Sequence, residues 1–166
     1  IRSSSGYVIR YDDDSSLGLD PGFNGTLPAG VYYVSFGEYT NTAGSFTFTF
    51  TTTPSAMPVL TCGTPATGNV VGDETAEFYK LVLTSAQRVN LATSGNGTTP
   101  MTDTVLRLMD AGMRQIVIND DNGSTFFSQM DVPLPAATYY VLLVGYPGDS
   151  GGYSLASTCS SSPTVT

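Results

Sequence analysis

The chain has 166 residues, of which 40% are hydrophobic and 11% aromatic, enough for a packed core in one large domain or two small ones. Fourteen acidic residues against six basic ones leave a formal charge of −8, and Lys80 is the only lysine, so no basic groove exists to neutralise phosphates and nucleic acid is excluded as a partner. The absence of His removes the usual general base, the Ser–His–Asp triad and the commonest transition-metal ligand.

The chain opens at Ile1 with neither an initiator Met nor a signal peptide, which reads as a processed product, an excised fragment or a recombinant piece. Short β-rich runs follow at Tyr7–Tyr11, Phe23–Leu27, Val31–Phe36 and Ser45–Phe50. The proline- and threonine-rich stretch 54–61 reads as an extended linker. From Cys62 onward, strands are expected at Glu77–Leu83, Arg88–Thr93, Thr104–Asp110, Gln115–Asn119, Phe126–Val132, Thr138–Gly145 and Gly152–Ser157, with an extended tail over 160–166. Many short strands joined by turns indicate an all-β antiparallel sandwich or jelly roll. No run approaches the roughly 18–20 apolar residues of a membrane-spanning helix, so membrane insertion is not expected.

The chain repeats itself. "LPAGVYYVSFGEY" (27–39) and "LPAATYYVLLVGY" (134–146) share seven of thirteen residues at an offset of 107, and "AGSFTF" (43–48) matches "SGGYSL" (150–155) in the same frame. An offset of 108 aligns "YVIRYDDDS" (7–15) with "QIVINDDNG" (115–123), pairing Asp12 with Asp120 and Asp13 with Asp121 and implying a one-residue loop difference. On this reading residues 62–159 are a complete unit, and residues 1–53 hold the later half of a second, incomplete one.

The blocks "GDETAEFYKLVLTSAQRVNL" (72–91), "DTVLRLMDAGMRQIVINDD" (103–121) and "LPAATYYVLLVGYPGDSGGYSL" (134–155) resemble, in order, the bacterial pre-peptidase C-terminal domain family, whose relatives include the collagen-binding domains of clostridial collagenases. Ala137 stands where that family usually has Gly, and Phe78-Tyr79 where Trp-Tyr is common. The resemblance implies a non-catalytic β-sandwich accessory module of secreted bacterial proteins; some members bind collagen or other polymers, and some bind calcium.

Cys62 and Cys159 bracket the complete unit, and in a sandwich whose ends meet they fall within disulfide range; the bond would indicate an oxidising, secreted location, and two free thiols are the other reading. "YDDDSS" and "NDDNGS" cluster oxygen donors suited to a hard cation, so Asp12, Asp13, Asp14, Asp120 and Asp121, with Asp103, are candidate calcium ligands. Neither run follows the spaced calcium-loop pattern, and the same residues close ordinary turns, so both readings stand. The Asn-Gly-Ser/Thr triplets at Asn24, Asn96 and Asn122 read first as tight turns. Tyr32, Tyr33, Phe36 and Tyr39 form a candidate aromatic binding strip; uncovered core of a half-unit gives the same pattern.

Half a sandwich leaves an apolar face, including "FTFTF" (46–50), that something must cover: strands outside this sequence, the second unit, or another chain. The functional expectation is a secreted, non-catalytic adhesion or polymer-binding module. Its partner would be an extracellular polymer or protein surface. The alternative is a structural subunit of an extracellular filament or surface assembly, built by strand or half-domain exchange between copies.

Overall fold

The computed structural model describes residues 1–14, 20–37, 43–72, 74–146 and 148–161. The described residues are all-β. One sheet has the order β10 (Gln129–Leu134), β7 (Gln87–Gly95), β12 (Gly151–Ser161), β5 (Ala66–Val70). The other runs β6 (Thr75–Val82), β11 (Thr138–Gly145), β8 (Thr104–Met109), β9 (Gln115–Asn119), all antiparallel. Two short strands, β2 (Asn24–Gly25) and β4 (Val59–Leu60), share the outer edge of β6 in parallel, and β1 (Arg2–Ser3) pairs with β3 (Tyr32–Tyr33) apart from both sheets.

Strand alternation explains the layers. Tyr79 and Leu81 of β6, Leu106 and Leu108 of β8, and Val141 and Leu143 of β11 point into the sandwich against Val89, Leu91, Tyr153 and Leu155 of the facing sheet. Their neighbours Phe78, Met109, Leu142 and Val144 point the other way and are buried as well. They are covered by Ile9, which is fully buried, and by Ile1, Phe23, Leu27, Tyr32 and Met57. The first unit thus packs on the outer face of the second through these residues, whereas Phe46, Phe48 and Phe50 of "FTFTF" are not covered by it and are exposed. β11, buried on both faces, accordingly reads as a nearly continuous apolar run.

The strands of the second unit lie where the alternation places them, with differences of a few residues at the ends. β10 begins at Gln129, three residues later than expected, because Ser128 spends its backbone N–H on the hydroxyls of Thr93 and Thr104. β5, "ATGNV", carries no apolar pattern and was not expected. Gly68 within it leaves the space filled by the Tyr153 ring, whose hydroxyl meets that of Tyr79. β4 falls inside the stretch read as a linker: Leu60 is buried in the main core, and the Lys80 N–H donates to the Pro58 carbonyl. Ser160 and Ser161, expected in the tail, extend β12 opposite Arg88 and Gln87; residues 162–166 lie outside the described residues.

The first unit forms less regular structure than its pattern predicts, but its hydrogen bonds repeat those of the second. Arg2 pairs with Tyr33 and bridges to Val8, as Met109 pairs with Tyr140 and Gln115. The Ser3 N–H donates to Tyr7 and the Gly6 N–H to Ser3, as Asp110 does to Arg114 and Met113 to Asp110. Gly6 and Met113, the corresponding turn residues, both hold positive φ, 84° and 64°. The Tyr32 hydroxyl donates to the Pro28 carbonyl and the Tyr139 hydroxyl to that of Pro135. Every one of these pairs is 107 apart, so a single frame holds and the expected one-residue shift is corrected: Asp12 corresponds to Asn119, Asp13 to Asp120 and Asp14 to Asp121. The Gly22 N–H bonds Asp12 Oδ2 at 2.6 Å as the Gln129 N–H bonds Asn119 Oδ1 at 2.7 Å, which fixes that frame through the loop. Asn24-Gly25, expected as a turn, is instead β2. Residues 43–57, including the expected strand Ser45–Phe50, carry no ladder pairing.

Cys62 and Cys159 form a disulfide with Cα atoms 5.5 Å apart, tying the chain beside β4 to the end of β12 across 97 positions. Beside it, the Gly63 N–H and the Ser157 hydroxyl bond the Ser157 and Thr61 carbonyls. Cross-linking a loop of this length removes denatured-state entropy, so Cys159→Ser is expected to lower unfolding free energy by about 2–4 kcal/mol. Urea unfolding with and without reductant checks this. An unchanged midpoint on reduction would show that the link carries no stability.

Candidate functional site: an acidic loop cluster and an aromatic face

Two features of the molecule are unlike ordinary surface. The first lies at the end of the sandwich where β8 starts and β9 stops. Antiparallel pairing sets Leu106 opposite Asn119, so the residue before β8 and the two after β9 are neighbours: Asp103, Asp120 and Asp121 present carboxylate oxygens within 4.8 Å of one another. A buried hydroxyl network fixes this junction. The Ser128 hydroxyl donates to the Thr104 carbonyl, lies 3.1 Å from the Asp120 carbonyl, and accepts from Thr104 Oγ1 at 3.2 Å, while Thr93 and Thr104 bond each other. The Asn119 side-chain amide closes the loop on the Asp121 carbonyl.

Asp149 completes the surroundings. Its carboxylate accepts from the N–H groups of Thr102 and Asp103, both at 2.8 Å, and so holds the approach to β8. Sequence reasoning missed it, because "PGDSGG" signals only a turn until Gly151 and Gly152 bring that turn against residues 99–101. Asp103 Oδ1 and Asp120 Oδ1 are shielded from solvent without a hydrogen-bond partner. Burial, and then the charges of Asp120, Asp121 and Asp149, raise the Asp103 pKa above the ordinary aspartate value. Like charges gathered around unpartnered oxygens fit a hard divalent cation, whose coordination would be made of such oxygens.

The corresponding residues of the first unit behave differently. Asp12 braces its loop through Gly22, in the role of Asn119, and among the described residues Asp12, Asp13 and Asp14 form no comparable group. The position equivalent to Asp103 precedes residue 1. Of the six acidic residues singled out in sequence, three come together and three do not.

The second feature is aromatic. Tyr32 leaves the expected strip: it leans on the second unit, and burial followed by the proximity of Tyr140 raises its pKa. Tyr33 is exposed, and Tyr39 lies outside the described residues. Phe36 instead packs its ring on Phe46 and Phe48, with centroids 5.5 and 4.6 Å away, and Phe48 continues to Phe50 at 6.2 Å. All four rings are exposed, and three of them, Phe46, Phe48 and Phe50, lie on a stretch, 43–58, that carries no charge. Alternation in "FTFTF" marked these side chains as one face, but only the folded chain brings Phe36 to them.

A scan against protein-family models gives no match, and a sequence search of curated proteins gives no significant one. Among solved structures, the pre-peptidase C-terminal domain of collagenase from Bacillus anthracis aligns with 65% of this chain and all of its own, with a TM-score of 0.53 and 14% identity. PliG of Aeromonas hydrophila, a periplasmic inhibitor of g-type lysozyme, aligns over 62% of this chain and 95% of its own, with a TM-score of 0.49 and 15% identity. Layer order, register and this likeness converge: the chain carries an antiparallel β-sandwich with the fold of a pre-peptidase C-terminal domain.

Proposed function

We propose that the chain is a non-catalytic, secreted bacterial module that makes a lasting contact with an extracellular polymer or protein surface through the aromatic face of its first unit. The observation that carries this is the group Phe36, Phe46, Phe48 and Phe50: four exposed rings, three of them on an uncharged stretch, beside a disulfide-closed sandwich. Exposed contiguous aromatic surface marks contact sites, and aromatic side chains dominate their energetics. The disulfide supports an oxidising, extracellular location. A second reading, a subunit of an extracellular assembly, is favoured by the correspondence of Phe36, Phe46 and Phe48, 107 residues on, with Leu143, Tyr153 and Leu155 of the second unit's core.

The fold neighbour's name points to collagen as the first polymer to try. In co-sedimentation with insoluble collagen, the wild-type chain is expected in the pellet and Phe48→Ala to bind at least about tenfold more weakly, the equivalent of ~1.4 kcal/mol. A wild-type chain left in the supernatant with collagen, chitin and cellulose alike would remove polymer binding.

The acidic cluster is proposed to take calcium through Asp103, Asp120 and Asp121, locking the loops that frame the end of the sandwich. Without a cation, a raised Asp103 pKa means that stability is fully present below the ordinary aspartate range, about 3.9, and is lost as pH rises through the raised value. The excess melting temperature of metal-free Asp103→Asn over metal-free wild type is therefore expected to grow as pH rises from about 4 to 7, and calcium to stabilise the wild type. Asp103→Asn should melt higher than wild type in EDTA at pH 7 and lose the response to calcium. Melting curves indifferent to EDTA and calcium in the wild type would sink the cation site.

A further inference from the structure

The Asn-Gly dipeptides at Asn24, Asn96 and Asn122 share a chemistry that the fold permits to differing degrees. An asparagine followed by glycine can close on itself: the glycine backbone nitrogen attacks the side-chain amide carbon, and no Cβ stands in its way. Closure swings the peptide about the asparagine Cα–C bond. It therefore needs a carbonyl free to turn and a glycine that is not held by its neighbours.

Asn24-Gly25 is locked. It forms β2, in register with Thr75 and Ala76 of β6, and Gly25 lies so close to that strand that a Cβ on it would collide with the Ala76 carbonyl. Asn96-Gly97 is held on the asparagine side. The Asn96 N–H donates to the Gly152 carbonyl at 2.9 Å, and the Asn96 carbonyl is wedged against Gly152, where a Cβ would strike it. Asn122-Gly123 is open. Its turn, 122–125, is exposed, and Gly123 holds a φ of 63° with nothing within 4 Å of where a Cβ would stand. The Asn122 carbonyl accepts the longer of the two bonds that close the turn, 3.3 Å from the Thr125 N–H against 3.1 Å from the Asn122 N–H to Thr125. Asn122 also directly follows Asp121, at the junction where Asp103, Asp120 and Asp121 gather, and its side-chain amide donates to Gln129 Oε1. A carboxylate in its place would have no hydrogen for that bond and would be released beside Asp121.

We propose that Asn122 is a site of self-modification, converted without an enzyme into a fourth carboxylate of the acidic group. The deprotonated Gly123 nitrogen forms a bond to Asn122 Cγ, the Cγ–Nδ2 bond breaks, and ammonia leaves from a closed succinimide; the proton given up by Gly123 and the one taken by the leaving nitrogen are exchanged with water. Water then adds to one of the two ring carbonyls and cleaves its C–N bond. Attack at the side-chain carbonyl leaves aspartate, and attack at the main-chain carbonyl leaves isoaspartate, whose backbone runs through Cγ. Nothing is oxidised or reduced. The covalent step stands on the geometry of the turn, whereas its effect on a cation rests on the calcium reading of the group, where an added carboxylate raises the ligand charge.

The test follows the full chain by peptide mapping and mass spectrometry after incubation in mildly alkaline buffer, folded and in guanidinium chloride. Unfolded, the three dipeptides are expected to convert at similar rates. Folded, Asn122 should show the mass change of an amide-to-acid exchange several times faster than Asn96, with Asn24 unchanged and isoaspartate among the products at 122. A folded chain that keeps the Asn122 amide after the unfolded sample has fully converted, or one in which Asn24 converts as fast as Asn122, overturns the proposal. Asn122→Asp supplies one product directly and is expected to bind calcium about tenfold more tightly than fresh wild type. Equal affinities overturn the place of this carboxylate in the acidic group. Conversion at Asn122 in a chain that ignores calcium before and after it removes the cation reading and leaves the modification standing.

Discussion

Everything in this molecule leans on β11 being buried from both sides. Val141 and Leu143 fill the sandwich, while Leu142 and Val144, one residue out of phase, form the floor on which the first unit sits. A central strand with two apolar faces cannot be left half covered, because each exposed Leu or Val forfeits about 1.5–3 kcal/mol of burial. The second unit therefore needs the first as a cover as much as the first needs the second as a base. β2 and β4, drawn from the part of the chain before Cys62, pair with the edge of β6.

That arrangement also explains which parts of the fold were legible in sequence. Long β-rich segments such as the apolar run Thr138–Gly145 announced themselves, and the repeat announced the frame that the hydrogen bonds later corrected by one residue. β5 and β4 were illegible because edge strands of two to five residues need little apolar pattern and are defined by what they pair with. The site was half legible. Asp120 and Asp121 were visible as a cluster and Asp103 as a suspect, but Asp149 depends on a turn docking against another turn. The equivalence of Asp12 with Asn119 could be seen only from a bond to Gly22. Tyr32 was misread because alternation says which residues share a face, and not what will come to lie against it.

The acidic junction illustrates how a sandwich builds a polar site at its rim without spoiling its core. Thr93, Thr104 and Ser128 are buried polar residues whose hydroxyls satisfy one another and nearby backbone groups, and they sit directly behind the carboxylates. The network fixes the backbone at Asp120 and Thr104, so the carboxylates beside them converge through rigid strands and not through a mobile loop. Repulsion among the carboxylates is imposed by the ladder, which is how a fold stabilised elsewhere can keep a locally unfavourable charge arrangement.

Met113 ties a backbone cost to the contact between the units. Its counterpart Gly6 adopts the left-handed turn freely, but a methionine there bears a backbone cost of about 1–2 kcal/mol. Its side chain is 5% exposed, in the cluster shared with Ile9 and Phe78, so its burial is an offset of similar size. The turn is thus tolerable only in company. Separated from its neighbour, the second unit would keep the awkward backbone and lose the shelter that compensates it, so the two units are dependent in a direction that neither sequence block displays alone.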